Sequence, residues 1–442
     1  MNKKVIILII IAVAVILSSL SWGNTVPEYG SNFIGDVLDI ENTESANIKG
    51  VQFICDVSGS VKGYVDFTGI DGSAQNNMIG VVSTIVNRIK NNYSPDFKAQ
   101  CGSASYDADG FIRRLKDGQV FTGSSSKLWE LIDKGVKYAS DSTVSIVLSD
   151  MVLSYGSSEI RSHNNLYYNQ HNLDGLKGEV ISKMTDAKQK GLEVVVIQYK
   201  SDFNGTYYFN CQENIENLNP LRIVNNYRGV KMEDRPYYLM LIGTEENLNS
   251  IVSKGCYQKC ENMYATFVAA EPACKDNVAY NIMSNDTNVW RAGHYPNGNG
   301  GFYCLYTPND YSSFSISCNE VKLPRYYYSN ANSFRVGCNK SSRVESVEYN
   351  GSTLSFTLTT GPISQMFKPG DNGEFSMDVY SMNKWVDESS VIGSDVDEAQ
   401  SIKGKTWGLK ALFDGINSVY YPDGAITESK VATVKFNYYI NK

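Results

Sequence analysis

From residue 50 onward the chain alternates short apolar runs with segments whose apolar residues return at helical spacing. Val51 to Cys55 is an apolar run ending in a polar loop, and Met78, Val82, Ile85 and Ile89 then recur along one face of a helix. Phe97 to Ser105, after Pro95, reads as the next strand. Leu128, Ile132, Val136 and Ala139 mark a second helix, and Val144 to Leu148 is a β-branched run of the kind buried on both faces of a sheet. Leu173, Leu176, Val180, Met184 and Ala187 mark a third helix that stops at Gly191, and Glu193 to Tyr199 is another buried strand. Tyr237 to Ile242 followed by Leu248 to Val252 repeats the pattern. Strands alternating with helices predict a doubly wound parallel sheet of Rossmann type, because parallel neighbours need a crossover and the helices must then cover both faces. Residues 47–265 are therefore expected to form one α/β domain.

Beyond about residue 270 the period changes. Ser352 to Thr359, Glu374 to Tyr380 and Lys430 to Ile440 alternate polar and apolar residues between Gly, Pro, Asn and Asp, with a helical period only near Leu409 to Ile416. Residues 341–442 are expected to form a mainly antiparallel β domain, a sandwich. The intervening 266–340 is rich in Cys, Tyr and Asn, and its pattern places no elements.

The first residues change the picture of where the chain works. Met1-Asn-Lys-Lys4 precedes an unbroken apolar run from Val5 to Leu17, and Ser19 and Ser21 are small residues suited to cleavage. This has the form of a signal peptide over 1–22, with an uncleaved membrane anchor as the alternative, followed by a linker over 23–46. The expectation is an exported bacterial protein of the periplasm or cell envelope and surface, touching the membrane only through this segment. Nine cysteines suit an oxidising compartment. Seven lie between Cys211 and Cys338, where disulfides are expected over a zinc site, while Cys55 reads as a buried free thiol. A length of 442 residues allows two or three domains, and a net charge of −7 spread along the chain excludes a polyanion-binding surface, hence nucleic acid.

The chemistry lies in Asp56-Val-Ser58-Gly-Ser60, directly after the first strand. Three oxygen-bearing side chains at alternate positions in a tight turn can converge on one point, with Gly59 permitting the turn. A carboxylate with hydroxyls suits Mg²⁺ or Mn²⁺ rather than zinc. Asp150 ends the strand Val144-Ser-Ile-Val-Leu-Ser-Asp150, and a parallel sheet opens the carboxyl ends of its strands on one edge, so topology brings Asp150 to the same crevice. A third loop, Thr122-Gly-Ser124-Ser125-Ser126, precedes a helix and supplies either a further hydroxyl or an N-cap.

These residues resemble the von Willebrand factor type A (vWA) domains, whose metal-ion-dependent adhesion site has Asp-x-Ser-x-Ser, then a Thr, then an Asp. Asp56, Ser58, Ser60 and Asp150 match in type, order and placement over 47–265. The Thr has no clear counterpart; Ser125 is assigned to it, with Ser124 or Thr122 as alternatives. The resemblance implies a divalent cation, Mg²⁺ first with Mn²⁺ or Ca²⁺ as alternatives. It further implies a protein partner whose carboxylate fills an open metal position, so that the metal is a bridge and not a catalyst. Long polar insertions after Asp150 and Tyr199 carry Tyr155, Tyr167, Tyr168, Tyr207, Tyr208 and Tyr227 to the same edge, a composition suited to recognition.

Other signals carry less. Asp107-Ala-Asp109-Gly110 lacks the closing Glu of an EF-hand and reads as a surface turn. His163, His171 and His294 form no triad or ligand spacing, and Ser58 has no evident base. A metal-dependent phosphoester hydrolase would need more carboxylates than Asp66 and Asp71 nearby, so an enzyme is not expected. Hydrolase and structural subunit stand as the alternatives to a metal-dependent binding module.

Overall fold

The computed structural model describes residues 48–65, 77–123, 126–153, 170–208, 226–253, 263–271, 273–275, 280–284, 290–294, 300–304, 313–318, 334–338, 342–349, 354–360, 372–391 and 404–440. The expected signal segment and linker lie outside these residues. Among the described residues no helix is long and apolar enough to cross a membrane.

The first body contains β1 (Gly50–Cys55), a 3-10 turn (Val61–Tyr64), α1 (Met78–Tyr93), β2 (Asp96–Cys101), β3 (Ala104–Tyr106), α2 (Ala108–Lys116), α3 (Leu128–Tyr138) and β4 (Thr143–Ser149). After it come α4 (Gln170–Gln189), β5 (Glu193–Tyr208), β6 (Asn226–Gly243), α5 (Glu245–Ser253) and β7 (Met263–Ala269). The seven strands form one sheet in the order β3-β2-β1-β4-β6-β5-β7.

Apolar residues decide which faces are covered. Phe53 of β1 meets Phe97 of β2 and Phe111 of α2 at ring-centroid distances of 5.9 and 5.2 Å. The alternate residues point the other way: Gly135 of α3 lies against Val147 and Ile242, close enough that a Cβ there would stand 2.8 Å from Ile242. Helices therefore lie on both faces. Asn77 starts α1 by accepting the Gly80 amide at 2.7 Å, and Val81, Val82, Ile85, Val86 and Ile89 are buried.

The direction of the later strands departs from expectation. β2 and β4 run parallel to β1, but β6 lies antiparallel between β4 and β5, and β7 is antiparallel to β5. The sheet is mixed, not wholly parallel. Tyr237–Ile242 is apolar throughout because it is buried on both faces, and such a run carries no sign of its direction. Much of the expected insertion after Tyr199 is β structure: β5 and β6 stay paired to Tyr208↔Asn226, a two-stranded ribbon continuing past the carboxyl edge. Two shorter readings also change. Phe97 to Ser105 is two strands hinged at Gly102, whose φ is +65°. Asp107 caps α2, accepting the Gly110 amide at 2.7 Å, so the expected surface turn is the start of a helix.

The rest is richer in strands: β8 (Ala273–Lys275), β9 (Tyr280–Ser284), β10 (Trp290–His294), β11 (Gly300–Cys304), β12 (Ser313–Cys318), β13 (Phe334–Cys338), β14 (Ser342–Tyr349), β15 (Leu354–Thr360), β16 (Asn372–Met382), α6 (Lys384–Glu388), β17 (Ser390–Val391), β18 (Thr406–Trp407), α7 (Leu409–Tyr420) and β19 (Glu428–Ile440). A four-stranded sheet runs β14-β15-β12-β9; a six-stranded one runs β10-β11-β19-β16-β13, with β8 also pairing β19. α7 returns to the α/β body. Phe413 stands edge-on to Phe267 of β7 at 4.7 Å, the Tyr420 hydroxyl donates to the Leu192 carbonyl at 2.7 Å, and a Cβ at Gly415 would stand 3.0 Å from Val180 of α4. Burying Leu412, Phe413 and Ile416 there stabilises the contact by about 1.5–3 kcal/mol each.

Candidate metal centre

β1 and β4 are parallel neighbours with Cys55 opposite Leu148, so Asp56 and the pair Ser149 and Asp150 leave the sheet side by side. The Asp56 amide extends the ladder by donating to the Leu148 carbonyl at 2.8 Å. Asp56, Ser58, Ser60 and Asp150 come together as the sequence implies, and all four are buried. Asp56 Oδ1 accepts the Ser58 amide at 2.9 Å, and the Ser58 and Ser60 hydroxyls stand 3.0 Å apart. Gly59 does not take a positive φ, so the turn does not draw on the conformational freedom expected of it.

The third loop does reach the site, through Ser126. Ser124 and Ser125 lie outside the described residues, Thr122 is exposed, and the buried Ser126 hydroxyl donates to Asp56 Oδ2 at 2.6 Å. Lys127 is the cap of α3 and makes no side-chain cap bond, while Ser126 bonds the Asp56 carboxylate. The loop is held by close approach of its backbone. The Gly123 amide donates to the Val57 carbonyl at 2.7 Å, and a Cβ at Gly123 would stand 2.9 Å from the Val57 side chain.

Sequence reasoning missed two groups. Ser149 donates to Asp56 Oδ2 at 2.8 Å and accepts the Met151 amide at 2.9 Å. It stands beside Asp150 in the sequence, and the signal is only that a serine next to a strand-end aspartate shares its edge. Arg235 is the larger omission. Its guanidinium donates to Asp150 Oδ2 at 3.1 Å, with side-chain exposures of 6% and 0%, a fully enclosed ion pair. It also lies 4.1 Å from the Phe203 ring and 5.4 Å from that of Tyr64, whose hydroxyl donates to the Pro236 carbonyl at 2.5 Å. Only the inverted direction of β6 brings Arg235 to this edge, and the sequence does not reveal that inversion. Met151 and Asp234, next to the two partners, take φ of +55° and +57°, two of three non-glycine positive values among the described residues. Such backbone costs about 1 kcal/mol or more and concentrates at functional sites.

Burial and the neighbouring Asp150 charge push the Asp56 carboxyl up to about 6, against the pull of its bonds from Ser126, Ser58 and Ser149. An added cation would therefore relieve a real electrostatic cost. Among the described residues no group of three or more His, Cys, Asp or Glu could hold a metal. This site draws instead on two carboxylates and several hydroxyls, the donor set of a hard cation. Adjacent ligands of an octahedral Mg²⁺ at 2.0–2.1 Å stand about 2.9 Å apart, close to the 3.0 Å between Ser58 and Ser60. A seven-coordinate Ca²⁺ at about 2.4 Å sets adjacent equatorial oxygens about 2.8 Å apart, so this one spacing also admits Ca²⁺. The residues fit Mg²⁺ or Mn²⁺, which would exchange that hydroxyl contact for two metal–oxygen bonds.

Cys55 and Cys101 face each other in register on β1 and β2 as buried free thiols. The disulfides expected between Cys211 and Cys338 lie outside what the described side chains report, as do Tyr155, Tyr167 and Tyr168. Tyr207, Tyr208 and Tyr227 belong to the β5–β6 ribbon, with Tyr207 opposite Tyr227. No family model matches the chain, and no curated protein or solved structure matches it either. Function therefore has to be argued from the site's own chemistry.

Proposed function

We propose that this chain is an exported, vWA-like protein that binds one divalent cation, Mg²⁺ foremost, and through it a partner protein that supplies a carboxylate. In this proposal the α/β body is a doubly wound adhesion-type domain, and the later strands stack as a sandwich serving as spacer or second contact. The N-terminal segment directs export to the periplasm, envelope or surface. One observation carries the proposal: Asp56, Ser58, Ser60, Ser126 and Asp150 converge from three loops on one sheet edge, with hydroxyl spacing that suits Mg²⁺. In this proposal the metal acts as a bridge and not as a catalyst.

A specific observation favours a second reading. The Asp56 hydrogen bonds and the Asp150–Arg235 ion pair form a buried polar network that could tie the loops together without a metal, as in a structural subunit. Thermal unfolding separates the two. The metal reading requires that Mg²⁺ or Mn²⁺ raise the melting temperature above that in EDTA, and that Asp56→Ala and Asp150→Ala abolish the rise. A folded protein indifferent to every divalent cation would leave the structural reading. If the metal shift is present, capture of a partner that EDTA releases is the next expected result.

A further inference from the structure

Arg235 is out of keeping with a site built only to hold a metal. Asp56 and Asp150 bring two negative charges, and the Arg235 guanidinium already answers one of them through Asp150 Oδ2. With a divalent cation added, the cluster passes from one net negative charge to one net positive charge. Without Arg235 the loaded cluster would be neutral. Because the surroundings are buried, neither excess charge is well screened by water.

The guanidinium is also held in place. Phe203 lies 4.1 Å from it and Tyr64 5.4 Å, the two rings stand edge-on to each other, and Tyr64 is itself tied to Pro236, the next residue in the chain. Phe203 cannot easily give way, since a Cβ on Gly63 would stand 2.1 Å from its ring: the 3-10 turn after Ser60 and the β5 extension are in close contact. The residues beside the pair, Met151 and Asp234, both take left-handed backbone.

We propose that Arg235 couples cation binding at this site to an acidic partner. It weakens the site for the cation alone and leaves the loaded site positively charged, so metal and a partner's carboxylate each strengthen the other's binding. Arg235 is thus a positioning and specificity-determining residue; it touches Asp150, not the partner. This inference rests on the metal reading above and adds the residue that couples the two binding steps, Arg235.

The test uses the full chain, Mg²⁺ titration calorimetry, and acetate as the carboxylate probe against chloride at equal ionic strength. Acetate is expected to tighten Mg²⁺ binding to the wild type. Arg235→Met, which keeps an unbranched apolar stem against Phe203 and Tyr64, should bind Mg²⁺ about tenfold more tightly in chloride and lose the acetate effect. Arg235→Lys, which keeps the charge, should retain both wild-type properties. Should Arg235→Met be unfolded in EDTA, Mg²⁺ is expected to refold it at concentrations below those that shift the wild type, and failure to do so counts against the proposal. Equal Mg²⁺ affinity in wild type and Arg235→Met, or an acetate effect surviving in that variant, overturns the role of Arg235 while leaving the metal site intact. Absence of Mg²⁺ binding in the wild type and every variant overturns the metal reading itself, and this inference with it.

Discussion

Ser126→Ala removes one hydroxyl from a carboxylate that accepts three hydrogen bonds in a buried pocket. The lost contact, at 2.6 Å, is the shortest of the three and is made to a charged acceptor. Bonds of that kind contribute about 1.5–3 kcal/mol, and no water replaces this one without room being made for it, so a loss of about 2 kcal/mol is expected. Urea unfolding in EDTA should move the midpoint by that amount with an unchanged slope. Metal should then stabilise the variant less than the wild type, because the hydroxyl aligns Asp56 for the cation. A change below about 0.5 kcal/mol would show that Ser126 does not bond Asp56. Loss of metal stabilisation in Ser125→Ala, with Ser126→Ala unaffected, would return the third-loop role to Ser125.

Burial, with the Asp150 charge, raises Asp56 from 3.8 to about 6, so between those values the folded protein binds more protons than the unfolded chain. Its contribution therefore makes metal-free stability fall as pH rises from about 4 to about 6, by at most about 3 kcal/mol, and Asp56→Asn should lose that slope. Mg²⁺ should oppose the trend because it prefers the ionised carboxylate; urea midpoints in EDTA and in Mg²⁺ check both signs, and identical slopes in wild type and Asp56→Asn would contradict the assignment. Gly123→Ala should push the third loop off Val57, costing about 1–3 kcal/mol and weakening metal binding without unfolding the body; calorimetry of the folded variant reads it, and wild-type affinity would contradict the close approach. Phe413→Ala, between Phe267 and Trp385, should cost about 3–5 kcal/mol and lower the unfolding midpoint of the α/β body, whereas an unchanged midpoint would place α7 outside that body's cooperative unit.

What could be read from the sequence was what local pattern encodes. β1, α1, α3, β4 and α4 are amphipathic or fully buried in ways that leave a period, and Asp-x-Ser-x-Ser after a buried strand carries its own geometry. The position of Asp150 beside Asp56 followed from parallel pairing of β1 and β4. Three features were not legible because they depend on what meets what in space. The direction of β6 leaves no trace in a run buried on both faces, and with it went Arg235, which looks in sequence like any charged residue before a strand. In the third loop, Ser124, Ser125 and Ser126 are chemically identical, and the contact of Gly123 with Val57 accompanies the arrival of Ser126 at Asp56. α7 shows its period plainly, but nothing local says that it packs on α4, more than two hundred residues earlier.

Asp56, Ser58, Ser60, Ser126 and Asp150 are expected to hold one divalent cation. Equilibrium dialysis of the full chain against Mn²⁺, with bound metal read by electron paramagnetic resonance, tests it most directly. One Mn²⁺ per chain, displaced by Mg²⁺ and absent from a folded Asp56→Ala variant, is the predicted result. No bound Mn²⁺ in the folded wild type, or the same stoichiometry in Asp56→Ala, would contradict it.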